Sequence, residues 1–308
     1  MDHKSVYHMF LSQVSRYGDR VLMCHNVGGE WAPITWNEYA AGVEKVALGL
    51  IGLGAKEERA VGILSESRVE WTFADLGIIA AGGITTAAYP SSPPPGVAYV
   101  FNHAECEIVF VENQVQLAKV LEELPDLPHL KKIIIFDPAG APEHPMVMTY
   151  AQLLEAGAAA GDEVRAEWRR RVERLSPDRV ITIIYTSGTT GPPKGAMLTH
   201  ANVLFICKAC MALKVVTDSD RSLSFLPLAH ALERVVFCLS LAAGGEIYFA
   251  ESIYKIAENL PEARPSVLVG VPRVYEKIYE RIMAGVESSP SLKKKIFYWA
   301  LGIGKRVS

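Results

Sequence analysis

From residue 60 onward, short β-branched and aliphatic runs alternate with longer stretches in which apolar positions recur every three or four residues. The runs are AVGIL (60–64), ITTAAY (84–89), EIVFV (107–111) and KKIIIF (131–136). Between them lie RVEWTFADLGIIAAG (68–82), GVAYVFNHA (96–104) and VQLAKVLEEL (115–124). Strands alternating with helices of this length predict βαβ crossovers and a parallel sheet covered on both faces. Residues 139–172, rich in Ala, Glu and Arg, predict a helical connection to a second strand at ITIIY (181–185). The alternation then resumes with GAML (195–198), a helix over 202–213, SLSFL (222–226), a helix over 232–243, EIYFA (246–250), SVLVG (266–270) and a helix from Pro272. The fold class is therefore α/β, with two doubly wound α/β subdomains: residues 1–180, and residues 181–308, opening with the Ser/Thr/Gly-rich turn. No internal repeat of fixed short period is visible.

That turn, Thr186-Ser187-Gly188-Thr189-Thr190-Gly191-Pro192-Pro193-Lys194-Gly195, packs four hydroxyls, three glycines and one lysine into ten residues after a buried strand. Glycines let backbone N–H groups approach a ligand, hydroxyls donate to phosphate oxygens, and the lysine brings a mobile positive charge. The mixture suits a triphosphate cradle better than a flexible linker. It is not a Walker A loop, because Pro193 precedes Lys194 and Gly195 follows it.

The segment YTSGTTGPPKGAMLTHAN (185–202) resembles the signature of the adenylate-forming superfamily, which includes acyl-CoA synthetases, luciferases and peptide-synthetase adenylation domains. SFLPLAHALER (224–234) is similar to a second family segment, in the version seen in the long-chain fatty-acid branch, and GVPRVYEKI (270–278) to a third. ITWNEYAAGVEKVALGLIGLG (34–54) and the stretches after it extend the resemblance over nearly the whole chain. The resemblance implies ATP-dependent activation of a long-chain fatty acid to an acyl-adenylate and then to acyl-CoA, with ATP, Mg²⁺ and coenzyme A. It assigns phosphate and Mg²⁺ contact to Thr186, Ser187, Gly188, Thr189, Thr190, Gly191 and Lys194; Thr186, from its place at the strand end, is expected to be the hydroxyl nearest the metal. It places His230 and Lys194 in the catalytic set; Glu233 is not the Mg²⁺ ligand. Such chemistry stabilises charge on a transferring phosphoryl group and needs no protein nucleophile.

Relative to the family pattern, the chain stops before the segment that supplies a Mg²⁺-assisting glutamate and before the small carboxy-terminal domain. It is expected to be an amino-terminal portion, inactive alone. The rival readings are a medium-chain or aromatic acyl-CoA ligase and a non-catalytic nucleotide-binding protein.

Composition changes this picture little. A formal charge of −3, with 21% charged residues over 308, gives no basic excess for nucleic acid. Five cysteines, an odd number in a chain this long, predict free thiols and a cytoplasmic setting. Cys207 and Cys210 form a CxxC inside an apolar helical run with no second pair, so they read as buried thiols, and neither His103 nor His200 is assigned a metal. Trp71, Phe73 and Tyr89 read as packing residues, and Arg273 and Glu276 as a surface ion pair. The most apolar stretch, residues 76–89, is short of the roughly 20 residues of a membrane span. Lys293–Lys295 beside Phe297, Tyr298 and Trp299 admit peripheral membrane contact or packing on a further part of the protein, and a homodimer is compatible with all of this.

Overall fold

The computed structural model describes residues 3–186 and 191–307. In chain order the first elements are α1 (Val6–Tyr17), β1 (Val21–Val27), β2 (Glu30–Thr35), α2 (Trp36–Gly52), β3 (Ala60–Leu64), α3 (Val69–Ala80), β4 (Ile84–Ala88), α4 (Pro94–His103), β5 (Ile108–Val111) and α5 (Gln114–Glu122). Then follow β6 (Lys132–Ile135), β7 (Val147–Thr149), α6 (Tyr150–Ala158), α7 (Asp162–Arg174), β8 (Val180–Thr186), β9 (Lys194–Thr199), α8 (His200–Ala212), β10 (Arg221–Ser224), α9 (Ala231–Ala243), β11 (Glu246–Phe249), α10 (Ile256–Ala263), α11 (Pro272–Glu287) and α12 (Ser291–Val307).

Among the described residues the strands form two sheets, ordered β7-β6-β5-β3-β4-β8-β9 and β10-β11-β1-β2. In the larger sheet the first six strands are parallel and β9 runs antiparallel at the edge. All of AVGIL and IVFV is buried, as expected of parallel strands covered on both faces. One face packs on Val97, Phe101, Leu117 and Val120 of α4 and α5. The other shares a single apolar cluster with α1, α2, α3 and α9 and with Met23, Ile247 and Phe249 of the smaller sheet.

The structure departs from the local pattern in four places. The strand opening at residue 180 and its return β9 add to the sheet built by residues 60–149, so the Ser/Thr/Gly turn closes an edge hairpin of that sheet. The smaller sheet takes β1 and β2 from the amino terminus, β1 pairing in parallel with β11. The connection over 139–172 contains β7 before its two helices. SVLVG contributes only a single bridge among the described residues, Val267 to Ser222, following the Pro-containing helix α10 and Arg264 at positive φ. Residues 1–267 make one compact unit and 268–308 another.

The second unit is a helical pair, α11 and α12, in which Lys294 and Tyr298 of α12 bond Glu287 of α11. Arg273 and Glu276 form an exposed ion pair at 2.9 Å, as the sequence suggests. Leu292, Ile296 and Trp299 of α12 are exposed. Among the described residues no helix is long and apolar enough to cross a membrane.

Within the first unit, α6 crosses α2 at close range. A Cβ built on Gly157 would lie 1.9 Å from the Lys45 carbonyl oxygen, and one on Gly49 would lie 2.7 Å from Leu153. Alanine in a helix is ordinarily worth up to about 1 kcal/mol over glycine. Here steric overlap with rigid backbone reverses the sign, at about 1–3 kcal/mol for overpacking. Gly157→Ala is therefore expected to lower the urea midpoint of unfolding; a midpoint equal to or above that of the parent would contradict the α2–α6 packing.

Candidate functional site

β8 buries Ile181, Thr182, Ile184 and Tyr185 and surfaces at Thr186. The returning strand sets Lys194 opposite Thr186 and Gly195 opposite Tyr185, so Thr186 and Lys194 stand roughly 5 Å apart at Cα. Both are exposed, and Gly191 takes a φ of 98°, which glycine alone adopts without strain. Ser187, Gly188, Thr189 and Thr190 lie outside the described residues.

Helix α4 buttresses the base of this hairpin. The Tyr99 hydroxyl donates to the Pro193 carbonyl at 2.9 Å, and Tyr99 stacks on His103 with ring centroids 5.5 Å apart. Burial pushes the Tyr185 phenol up to about 12. It therefore stays protonated, and its hydroxyl is hydrogen-bonded to His103 Nδ1, 2.7 Å away. His103 is thus occupied structurally, as is His200, whose Nδ1 accepts the Val6 N–H at 3.1 Å.

His230 is the N-cap of α9: its Nδ1 accepts the Leu232 N–H at 3.2 Å. That leaves Nε2 as the free ring nitrogen of an exposed side chain. The loop before it is tied to the larger sheet. Ser67, just past the end of β3, donates its hydroxyl to the Leu226 carbonyl at 2.8 Å and accepts the Leu228 N–H at 2.7 Å, bracketing Pro227. Since β3 lies two strands from β8, these anchor points are roughly 10 Å apart on the carboxyl edge of one sheet. The structure so brings Thr186, Gly191 and Lys194 to the end of β8, and hangs the His230 loop from the end of β3.

The first turn of α9 is pinned twice. Glu233 accepts from the Ser224 hydroxyl at the end of β10, and Arg234 pairs with Asp75 of α3. All four are buried, and Glu233 and Arg234 bond these neighbours rather than each other. Cys207 is buried on α8 with its thiol pushed up to about 12 by burial. Among the described residues no group of three or more His, Cys, Asp or Glu could hold a metal ion.

The sequence reading missed a cleft of about 210 Å³ at the carboxyl ends of both sheets, lined in part by His25, Glu66, Arg68, Glu70, Glu112 and Glu251. It opens where the chain, having gone from β3 to β4, crosses back to β5, the place where open α/β sheets present a crevice. Burial and the neighbouring Glu112 push the Glu66 carboxyl up. Four carboxylates against one arginine make this cleft hostile to a polyphosphate, in contrast to the Lys194 edge. Its residues come from four segments far apart in the sequence, so no local spacing could have flagged it.

The family model of AMP-binding enzymes matches residues 10–300. The chain belongs to this family. It is 34% identical over 308 residues to the long-chain-fatty-acid–CoA ligase ACSBG2 of Xenopus laevis, which covers 97% of this chain and 41% of that protein. It is 32% identical over 306 residues to the human protein of the same name, covering 97% of this chain and 45% of that protein. The chain thus spans under half the length of these curated relatives. The A domain of a carboxylic acid reductase from Segniliparus rugosus, solved with AMP and a co-purified carboxylic acid, matches with a TM-score of 0.80 at 18% identity, over 96% of this chain and 54% of that one. The N-terminal domain of FACL13 from Mycobacterium tuberculosis, with bound inhibitor, matches with a TM-score of 0.73 at 18% identity, over 88% of this chain and 64% of that one. These two structural matches establish a shared fold.

Burial of Glu233 raises its carboxyl to about 7, with the Ser224 hydroxyl pulling the other way. A carboxyl that holds its proton more tightly in the fold than in the unfolded chain stabilises the fold most below about 4.5. That contribution is lost as pH climbs to about 7 and stays lost above it. Glu233→Gln keeps an acceptor for Ser224 and removes the charge. The drop in unfolding free energy between pH 5 and pH 8 is expected to be smaller in the variant by about 2 kcal/mol. Identical drops in chemical denaturation of parent and variant would contradict the buried, uncompensated carboxyl.

Proposed function

We propose that this chain carries the phosphate-binding and acyl-site edges of an ATP-dependent long-chain fatty-acid–CoA ligase. One observation carries the reading: Thr186, Gly191 and Lys194 share the exposed end of β8 with a glycine- and hydroxyl-rich turn, while the His230 loop hangs from the same sheet edge through Ser67. The curated relatives named above are long-chain-fatty-acid–CoA ligases, which supports a fatty acid as the activated carboxylate.

In this reading Lys194 and the N–H and hydroxyl groups of the turn bind the β- and γ-phosphates of ATP and offset the charge that develops there. His230, held by its own helix cap, offers its free Nε2 to the acyl carboxylate or adenylate. Mg²⁺ bound to a nucleotide takes one or two protein oxygens and completes its shell with phosphates and water. The exposed Thr186 hydroxyl beside Lys194 fits that demand. When bound, the ion would offset charge on the phosphates; coenzyme A is the thiol acceptor of the second step.

Fatty-acid-dependent exchange of labelled pyrophosphate into ATP, measured on the protein at its native length, tests the reading. Exchange is expected to require a fatty acid, and Lys194→Ala to reduce it by about 100-fold or more. No exchange with any carboxylic acid from a folded protein would overturn the reading in favour of a nucleotide-binding protein without this chemistry.

Peripheral membrane contact through α12 belongs to the same proposal, because Leu292, Ile296 and Trp299 are exposed next to Lys293–Lys295. In liposome sedimentation, the native-length protein is expected to pellet with anionic vesicles and to be released when the three lysines are changed to glutamine. Equal pelleting of both proteins would remove α12 from the account.

A further inference from the structure

A continuous polar path runs through the interior between the two site elements. It starts on β8, where the Thr182 hydroxyl donates to the Thr85 carbonyl of β4 at 3.0 Å. The Thr85 hydroxyl donates to Asp75 Oδ1 of α3 at 2.6 Å. The same Asp75 oxygen accepts from the Arg234 guanidinium of α9, which also lies over the Trp71 ring, 5.5 Å from its centroid. Finally, the Arg234 backbone N–H bonds the carbonyl of the N-cap His230 at 3.2 Å. Thr182, Thr85, Asp75 and Arg234 are 1%, 0%, 3% and 4% exposed, so the side-chain links among them are screened from water.

Such a path is an unusual use of the interior. Packing alone would be served by apolar residues of similar shape, since a buried ion pair is weak grounds for stability and its replacement by hydrophobic groups is often neutral. What a buried, directional network provides is a fixed geometry between the elements it joins. One end here is the strand whose last residue is Thr186, four positions beyond Thr182; the other is the helix capped by His230.

We propose that Thr182, Thr85, Asp75 and Arg234 form a positioning network that holds the helix bearing His230 in register with the phosphate-loop strand, aligning the two halves of the adenylation site. None of the four touches a substrate in this account, which rests on the function proposed above. Apolar replacement of a threonine hydroxyl leaves shape nearly unchanged, so misalignment, not loss of fold, is the consequence. Ground-state binding at each end survives, and the step that needs both ends at once slows.

The test uses the native-length protein, with Thr85→Val, Thr182→Val, Arg234→Lys and the pairwise combinations, each checked by circular dichroism and thermal unfolding. Arg234→Met is set aside because it leaves Asp75 uncompensated in the core. Fatty-acid-dependent pyrophosphate exchange gives kcat and both KM values, normalised to folded protein. Thr85→Val is expected to lower kcat about tenfold, with KM for ATP and for fatty acid within about twofold of the parent. Thr182→Val with Arg234→Lys is expected to lose no more than the worse single variant, because both break one path. A melting temperature that falls while kcat per folded molecule is unchanged, or losses that simply add, would overturn the network and leave the adenylation reading intact. An inactive parent that shows no exchange with any acid would overturn that reading, and this inference with it.

Discussion

The salt bridge between Asp75 and Arg234 is the constraint on which the arrangement of the first unit depends. It lies in the helical layer between the two sheets, joining α3, which packs on β3 and β4, to α9, which packs on β10 and β11. Removing one partner from a buried pair costs about 3–5 kcal/mol. An exposed pair such as Arg273–Glu276 is worth between nothing and about 1 kcal/mol. The neighbouring Glu233, bonded to Ser224, anchors the same helical turn to the smaller sheet. One turn of helix thus holds both sheets, and the residue that caps that turn is His230.

From this clasp the placement of the candidate site follows. Parallel strands deliver their connecting loops to the carboxyl edge, where the two sheets converge at Ser67 and Pro227. Along that edge the charge is divided. Lys194 stands beside β8, and the glutamate-rich cleft opens beyond the ends of β3 and β5. The two places therefore differ in charge: a lysine stands at one and four carboxylates line the other.

The alternating pattern made the α/β class and most of the larger sheet legible, because strands buried on both faces read as continuous apolar runs such as AVGIL and IVFV. Helix starts were less plain: the helix expected over 202–213 begins at His200, where Thr199 and Asn202 form a capping box. Sheet membership was not legible. Nothing near residues 21–35 shows that this hairpin, turned at Gly28 and Gly29 with both φ positive, pairs with a strand more than 200 residues later. Nor does ITIIY, a run like any other, say which sheet it joins. At the site, the chemistry of the turn was readable from its residue types. The partners of Glu233 and Arg234 were not, since Asp75 sits inside a helix that reads as ordinary amphipathic sequence.

The central claim is that nucleotide phosphates bind at the end of β8. A crystal structure of the native-length protein with a non-hydrolysable ATP analogue and Mg²⁺ tests it most directly. The account predicts phosphate oxygens within hydrogen-bonding reach of Lys194 Nζ, with the Thr186 hydroxyl beside the ion. Phosphates seated instead in the cleft lined by Glu66, Glu112 and Glu251 would contradict it.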